Sequence, residues 1–274
     1  MNSLSAEDLD FLVSLTRQAC DNILKYRNKE LDVSLKNDDE YDPLTLADKT
    51  TDDMLRSAIA ARFPEDMLLS EENAELPSSY DGRVWMIDPL DGTKEFVSGG
   101  ERFAVMIGLC ADGQPVCGIV GQPTSGDIYY ALKGEGAYLL RDNIKHTLRV
   151  SDVADIQKAT LLVSRQSGEP RQPETFLRSL PFKAFQEDSS FGLRAGLIAE
   201  GAADAFVGTN VRASKWDVCA PQVVLAEAGG SLKLLQGDYI NYKQPNVKIG
   251  RPFFGSNGHL DQALLARLKE MPEL

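Results

Sequence analysis

The first thirty residues carry apolar side chains at helical spacing. Ser5 and Asp8 stand three residues apart and resemble the capping box that begins a helix. Apolar residues then recur on one face up to about Tyr26 or Arg27, which is typical of a helix that packs on a core. The pattern therefore predicts an amphipathic helix with the apolar positions Leu9, Leu12, Val13, Leu15, Ala19, Ile23 and Leu24.

A second helix is predicted to begin within residues 41–53, which read Y-D-P-L-T-L-A-D-K-T-T-D-D. Leu55 and Ile59 follow at helical spacing, and Pro64 ends the pattern because it cannot continue a helix. The polar residues 32–40 before it predict a surface loop or a short hairpin.

Short apolar runs between glycine-rich turns predict an antiparallel meander over residues 103–140, and two separate short strands precede it. Asp112-Gly113 marks one of these turns. The predicted strands are residues 67–69, 84–87, 103–110, 116–120, 128–131 and 137–140, with 147–150 as an added edge.

In the second half, predicted strands and helices alternate after a connection over residues 151–158. Gly201 and the pair Gly229-Gly230 stand where helices end. The predicted strands are residues 161–163, 205–207, 231–235 and 252–255, and the predicted helices are 173–180, 193–200, 217–228 and 260–268.

Composition and charge narrow the class of protein. With 274 residues, 43% hydrophobic and 26% charged, the chain suits one large globular domain or two packed lobes. Its net charge of −12 disfavours nucleic-acid binding, because an acidic chain repels phosphate backbones. The four cysteines form no metal-binding or disulfide pattern. Without a signal sequence or a membrane-length apolar run, we expect a cytoplasmic protein that does not bind a membrane.

The stretch from Trp85 to Phe96, W-M-I-D-P-L-D-G-T-K-E-F, places two carboxylates just past a strand. Pro89 is expected to break that strand, and Gly92 permits a sharp turn. The carboxylates of Asp88 and Asp91, together with a backbone carbonyl such as that of Leu90, are the hard oxygen ligands that Mg²⁺ or Ca²⁺ requires. An ordinary acidic turn is the alternative, since Asp, Pro and Gly are common in turns for local reasons.

Three more acidic residues lie at the ends of predicted elements. Glu71 follows a strand directly, which is the usual place for active-site residues in an α/β sheet. Asp48 and Asp217 both stand at predicted helix starts. Without any function, Asp48 could cap its helix together with Thr45, and the Asp217 carboxylate could stabilise its helix through the helix dipole. If the acidic residues converge, they could hold paired divalent cations, which stabilise both the attacking and the leaving oxygen of a phosphoryl displacement.

Four segments of the chain, in the same order, resemble the inositol monophosphatase superfamily of lithium-sensitive, Mg²⁺-dependent phosphatases. The segments D-G-T-K-E-F and K-W-D-V-C-A-P are most similar to its 3′(2′),5′-bisphosphate nucleotidases, which convert 3′-phosphoadenosine 5′-phosphate to AMP. The matching segments are D-P-L-T-L-A-D (42–48), S-E-E (70–72), W-M-I-D-P-L-D-G-T (85–93) and K-W-D-V-C-A-P with A-E-A-G-G (215–230).

The resemblance implies an α+β fold, a layered α/β/α/β sandwich of the inositol monophosphatase and fructose-1,6-bisphosphatase type. It also implies two lobes with the site between them. Residues 1–150 would form an N-terminal lobe with most metal ligands, and residues 151–274 a C-terminal lobe with Asp217 and the substrate pocket. The expected molecule is a monomer or homodimer that binds a phosphorylated nucleotide as a small molecule.

The same resemblance implies roles for individual residues, with two or three Mg²⁺ ions per site. Asp48 and Thr93 would position and deprotonate the attacking water, which is sound chemistry for a carboxylate and hydroxyl. The implied metal ligands are Glu71, Asp88, the Leu90 carbonyl, Asp91 and Asp217, and the implied substrate contacts are Gly92, Thr93, Lys94, Ser164, Arg194 and Asp217.

Two positions depart from the nucleotidase pattern. Gln166-Ser167 stands where those enzymes carry Ser-His, and Arg194 stands where they carry lysine. Arginine keeps the positive charge and can bind phosphate through two parallel hydrogen bonds. An inositol or sugar phosphate monoesterase is the alternative within the superfamily, and a catalytically silent metal- or nucleotide-binding protein is the alternative outside it.

Overall fold

The computed structural model describes residues 4–27, 33–35, 43–73, 76–77, 79–165, 172–209 and 211–272, with the backbone alone for 33–35, 43 and 44. Strands follow one another along residues 104–147, whereas strands and helices alternate along residues 160–234. The helices are α1 (Ala6–Leu24), α2 (Leu46–Arg62), α3 (Thr93–Val97), α4 (Gln172–Ser179), α5 (Phe191–Ala199), α6 (Lys215–Glu227) and α7 (Asp261–Leu268).

The strands form a seven-stranded sheet, a five-stranded sheet and a two-stranded pair. The first sheet has the order β3-β4-β5-β6-β7-β8-β9 and the second β11-β10-β12-β14-β13. The strands are β1 (Val33–Leu35), β2 (Pro43–Thr45), β3 (Met67–Ser70), β4 (Arg83–Asp91), β5 (Ala104–Ala111), β6 (Gln114–Gly121), β7 (Ile128–Leu132), β8 (Gly136–Arg141), β9 (Ile144–Thr147), β10 (Thr160–Val163), β11 (Ala184–Glu187), β12 (Ala205–Gly208), β13 (Ser231–Leu234) and β14 (Phe253–Ser256).

The seven-stranded sheet buries both of its faces, as the alternating side chains of β5 show. Ile107 packs with Leu12 of α1 and Ile59 of α2 on one face. Met106 packs on the other face with Leu193 of α5 and Val224 of α6. Successive side chains of a strand point to opposite faces, so β5 contributes to two cores.

Helices α5 and α6 lie between the two sheets, because the core that contains them also includes Phe206 of β12. The outer face of the five-stranded sheet carries Leu161 and Phe254, which pack with Leu177 of α4 and Leu264 of α7. The predicted α/β/α/β layers are therefore confirmed, and α4 with α7 adds a further helical layer. The separation into lobes at residue 150 stays a prediction.

Strand β4 corrects one sequence-based expectation. Pro89 does not end the strand, which runs to Asp91. Instead, the pairing of β4 with β5 shifts register between Asp88 and Asp91. Proline is tolerated at such an irregularity because its missing N–H leaves no ladder bond unmade there.

The other differences are local. The strands β2 and β11 and the short helix α3 were not predicted, and the sheet edge is Ile144–Thr147 rather than 147–150. Strand β3 runs parallel to β4, so the first sheet is not wholly antiparallel. Strand β1 lies within residues 32–40, which were predicted as a loop or hairpin, but it pairs with β2 beyond that range. Residues 36–42 between the two strands lie outside the described part, so the predicted hairpin stays a prediction.

Candidate active site

Two parallel strands deliver the first carboxylates to one edge of the seven-stranded sheet. Ser70 at the end of β3 pairs with Ile87 of β4, so the next residues of the two chains, Glu71 and Asp88, lie side by side. Glu71 follows β3 at once, and its backbone N–H donates to the Ile87 carbonyl at 3.1 Å. Glu71 and Asp88 therefore start from neighbouring positions although the chain separates them by a long loop.

The third carboxylate, that of Asp217, comes from the first turn of α6. Its Oδ2 accepts a hydrogen bond of 2.7 Å from the backbone N–H of Ser214, the N-cap residue. Helix α6 lies directly on the sheet because Gly118 has no side chain: a Cβ there would stand 2.3 Å from the Ala220 carbonyl oxygen. This close approach brings the start of α6 to the same edge of the sheet.

Glu71, Asp88 and Asp217 converge there, and one oxygen from each lies within 4.8 Å of the others. Burial raises the pKa of Asp88 well above its ordinary value, and the nearby charges of Glu71, Asp91 and Asp217 raise it further. Burial and the charge of Glu71 do the same for Asp217. Like charges held this close favour a divalent cation, and an all-oxygen donor set suits Mg²⁺.

Asp91 lies beside this group but is held differently. Its Oδ2 accepts hydrogen bonds from the Ser190 hydroxyl at 2.6 Å and from the Gly192 backbone N–H at 2.9 Å. Burial raises the pKa of Asp91 to about 6, although these two hydrogen bonds and Arg194 act in the opposite direction. Its predicted role as a metal ligand stays a prediction that the position allows.

Leu90 links Thr93 to the metal group, the three converging carboxylates of Glu71, Asp88 and Asp217. The Leu90 backbone N–H donates to Oδ1 of Asp88 at 3.0 Å, and the Leu90 carbonyl accepts from the Thr93 hydroxyl at 3.0 Å. Gly92 makes the turn between them with φ of 96°, in the left-handed region that favours glycine. The turn brings the Thr93 hydroxyl to the Leu90 carbonyl, whose role as a metal ligand stays a prediction.

Asp48 makes contacts that suit both interpretations that the sequence left open. It completes a capping box at the start of α2, where its Oδ2 accepts from the Thr45 backbone N–H at 2.8 Å. Its Oδ1 accepts from the Thr93 hydroxyl at 3.2 Å. One oxygen thus fixes the residue to its helix, and the other meets the hydroxyl with which it was predicted to pair.

The predicted substrate contacts are distributed around this group. Lys94 is exposed, and the exposed Ser164 accepts from Nη2 of Arg194 at 3.0 Å. Arg194 is only 2% exposed, and its Nε donates to the Asp188 carbonyl at 2.9 Å. The guanidinium is therefore used within the fold, and its contact with substrate stays a prediction. The departing residues 166–167 lie outside the described part.

Sequence reasoning missed a polar cluster that joins the two halves of the chain. Glu95 is buried and accepts from Arg165 at 2.9 Å and from the Ser189 hydroxyl at 3.1 Å. Ser190 follows directly and binds Asp91. The local signal was an acidic residue in the short segment after Gly92, but its partners lie 70 and 94 positions away.

The carboxylate group predicts how pH affects the metal-free protein. The folded-state pKa values of Asp88 and Asp217 are raised, and that of Asp91 is raised to about 6. Between the unfolded value, about 4, and these folded values, the folded state binds more protons than the unfolded chain. The contribution of this group to the free energy of unfolding therefore falls as pH rises.

Thermal melting of the parent and of Asp88→Asn without Mg²⁺, measured from about pH 4 upward, checks the prediction. As pH rises, the melting temperature of Asp88→Asn should increase relative to that of the parent. A constant difference would contradict the prediction.

Comparison with known proteins agrees with this geometry. The family model described as "Inositol monophosphatase family" matches residues 5–273. The chain is 32% identical to a histidinol-phosphatase of Mycobacterium tuberculosis, over 97% of this chain and 99% of the relative. It is 29% identical to a 3′(2′),5′-bisphosphate nucleotidase CysQ of Aggregatibacter actinomycetemcomitans, over 91% and 95%.

Two further comparisons concern a human relative and a solved structure. The chain is 30% identical to inositol monophosphatase 1 of Homo sapiens, over 84% of each chain. The IMPase structure from Thermotoga maritima has a TM-score of 0.83 at 24% identity, over 97% of this chain and 98% of that one. This likeness confirms the fold. Within the described residues, every helix is too short or too polar to cross a membrane.

Proposed function

The chain belongs to the inositol monophosphatase family, and from this premise we propose that it removes the 3′-phosphate of 3′-phosphoadenosine 5′-phosphate, giving AMP and phosphate. Members of this family are Mg²⁺-dependent phosphatases, so the chain is a phosphatase acting on a phosphorylated small molecule. The convergence of Glu71, Asp88 and Asp217 within 4.8 Å is the observation that carries the metal-dependent chemistry.

In the proposed mechanism, Glu71, Asp88 and Asp217 would hold Mg²⁺ together with Asp91 and the Leu90 carbonyl. Bound there, Mg²⁺ would supply positive charge against the phosphoryl oxygens and make a water more acidic. Several carboxylates can accommodate the two or three ions that we propose. Asp88 is buried, so solvent water screens its charge little and the attraction between this carboxylate and a bound cation would be strong.

The chain's own proton transfer runs through Thr93 and Asp48. The Thr93 hydroxyl accepts a proton from the attacking water while it donates its own to Oδ1 of Asp48, at 3.2 Å. The bond from the Thr45 backbone N–H to Oδ2, at 2.8 Å, holds the carboxylate in the orientation that this transfer requires. The adjacent Leu90 carbonyl offers the hydroxyl a second acceptor, so the hydroxyl can turn between the two.

Two observations support the nucleotide as a substrate. The segment D-G-T-K-E-F resembles the bisphosphate nucleotidases, and the similarity to the nucleotidase CysQ extends over 91% of the chain. The 32% identity with a histidinol-phosphatase favours histidinol phosphate as a second candidate substrate. Both are monoesters, so the same metal group serves either. The proposed setting is cytoplasmic, with the chain as a monomer or homodimer.

A phosphate-release panel tests the choice of substrate. We expect the highest kcat/KM with 3′-phosphoadenosine 5′-phosphate when it is compared with histidinol phosphate, inositol 1-phosphate and fructose 1,6-bisphosphate. Each assay is repeated in excess chelator, where turnover should vanish and then return with added Mg²⁺. A higher kcat/KM for histidinol phosphate would transfer the proposal to that substrate, and full turnover in chelator with no bound metal would refute metal dependence.

A further inference from the structure

Asp91 is oriented by a segment almost one hundred residues away. The bonds from the Ser190 hydroxyl and the Gly192 N–H both reach its Oδ2. Both hydrogen bonds that the described residues make with this side chain end on Oδ2. The other carboxylate oxygen, Oδ1, is therefore the one available to a cation. The orientation of Asp91 therefore depends on where residues 188–192 lie.

We propose that Asp188 is a positioning residue, which orients Asp91 toward the metal group by fixing residues 188–192. The inference rests on the proposed function, because it takes Asp91 as a metal ligand. Asp188 touches neither the carboxylate cluster nor the Thr93 hydroxyl through any hydrogen bond that the structure shows. The charge of Asp188 also raises the pKa of Asp91 directly, whereas its positioning effect passes through Ser190 and Gly192.

Three contacts fix the segment at Asp188. Its Oδ2 accepts from Nε of Arg102 at 2.6 Å, and its Oδ1 accepts from the Ser190 backbone N–H at 3.0 Å. Its carbonyl accepts from Nε of Arg194 at 2.9 Å. Side chain and backbone are thus held from different directions, which leaves the following residues little freedom.

The ion pair of Asp188 with Arg102 is buried on the Asp188 side and adjoins the turn that carries Asp91. The Asp188 side chain is 0% exposed, so its charge depends on Arg102 for compensation. Arg102 is itself steadied by Gln122, whose Oε1 accepts from Nη1 at 3.3 Å. Gly92 follows Asp91 in the chain, and the Arg102 carbonyl would lie 3.2 Å from a Cβ placed on Gly92. The pair therefore connects the turn that carries Asp91 with the segment that binds it.

Hydrogen-bond partners that orient metal ligands typically affect metal affinity by 10- to 100-fold. Calorimetric titration with Mg²⁺ alone, without substrate, should show binding by Asp188→Asn that is weaker than the parent's by about that factor. Asparagine keeps the acceptor for the Ser190 N–H but loses the charge that holds Arg102. Arg102→Lys is a milder change at a partly exposed side chain, so it should lower Mg²⁺ affinity by a smaller factor. If Asp188→Asn does not fold, the Mg²⁺ affinity of Arg102→Lys is the test.

Asp66→Asn is the matched control. Asp66 forms a shielded ion pair with Arg83 at 3.0 Å and accepts from the Trp85 indole at 2.8 Å, at the opposite end of β4. Its loss should lower the melting temperature and leave Mg²⁺ affinity within about twofold. An equal loss of affinity in Asp66→Asn would show a general effect of stability and overturn the inference.

A double variant shows whether Asp188 acts through Asp91. In the Asp91→Asn background, adding Asp188→Asn should change Mg²⁺ affinity by less than twofold, because the oriented ligand is already gone. A further tenfold loss there would overturn the inference. Unchanged affinity in Asp188→Asn, with Mg²⁺ binding by the parent, would also overturn it while the proposed function stands. No Mg²⁺ binding by the parent would refute the proposed function and this inference together.

Discussion

Replacing Asp88 with asparagine should lower phosphatase turnover by a factor on the order of 10³ and raise the melting temperature of the metal-free protein. The loss corresponds to about 4 kcal/mol of transition-state stabilisation, within the several kcal/mol that a bound divalent cation supplies. Asp88 is the most buried member of the metal group, and three carboxylates raise its pKa in addition to burial. Removing its charge relieves that repulsion when no metal is present.

Asparagine preserves the local structure, since its carbonyl oxygen can accept from the Leu90 N–H as Oδ1 of Asp88 does. Steady-state kinetics and thermal melting, each with and without Mg²⁺, measure the two effects. Asp10→Asn is the control, because it removes one negative charge at an exposed position of α1. A lower melting temperature for metal-free Asp88→Asn, with activity retained, would make Asp88 a structural turn residue.

Replacing Asp48 with asparagine should lower kcat by about 10²- to 10⁴-fold, the usual contribution of a general base. Mg²⁺ affinity should stay within a few-fold of the parent's, because Asp48 faces the Thr93 hydroxyl and is not among the three converging carboxylates. Glu71→Gln should do the reverse and weaken Mg²⁺ binding itself. Calorimetric Mg²⁺ titration beside steady-state kinetics on both variants measures the separation.

Thr45→Ala separates the capping role of Asp48 from its catalytic one. The Thr45 side chain takes part in the capping box at the start of α2. Its loss should cost roughly 1 kcal/mol of stability with little effect on kcat. If Asp48→Asn changes kcat no more than Thr45→Ala does, Asp48 is a cap alone. Equal loss of Mg²⁺ affinity in Asp48→Asn and Glu71→Gln would refute the assignment of separate roles.

The helix starts and the turns were predictable because the interactions that form them lie within a few residues. Ser5 with Asp8 forms the expected capping box, and so does Thr45 with Asp48. Asp112-Gly113 forms the expected turn, with both residues at positive φ. Local steric and hydrogen-bonding rules decide such features, so a short window of sequence contains the necessary information.

The path of β4 was not predictable in this way. Locally, Pro89 disfavours a continuing strand. In the fold, the irregular pairing with β5 between Asp88 and Asp91 accommodates it. The neighbouring strand, which the local sequence does not contain, decides the outcome.

By itself, the sequence singled out the carboxylates of the candidate site, and its motifs determined the family. Only the tertiary structure decided which of them meet: Glu71 and Asp88 through the parallel pairing of β3 with β4, and Asp217 through the close packing of α6 on Gly118. It also decided that Asp91 is held by Ser190 and Gly192. The reason is physical, because contacts between distant segments depend on how sheets and helices pack, and residue spacing along the chain does not specify that packing.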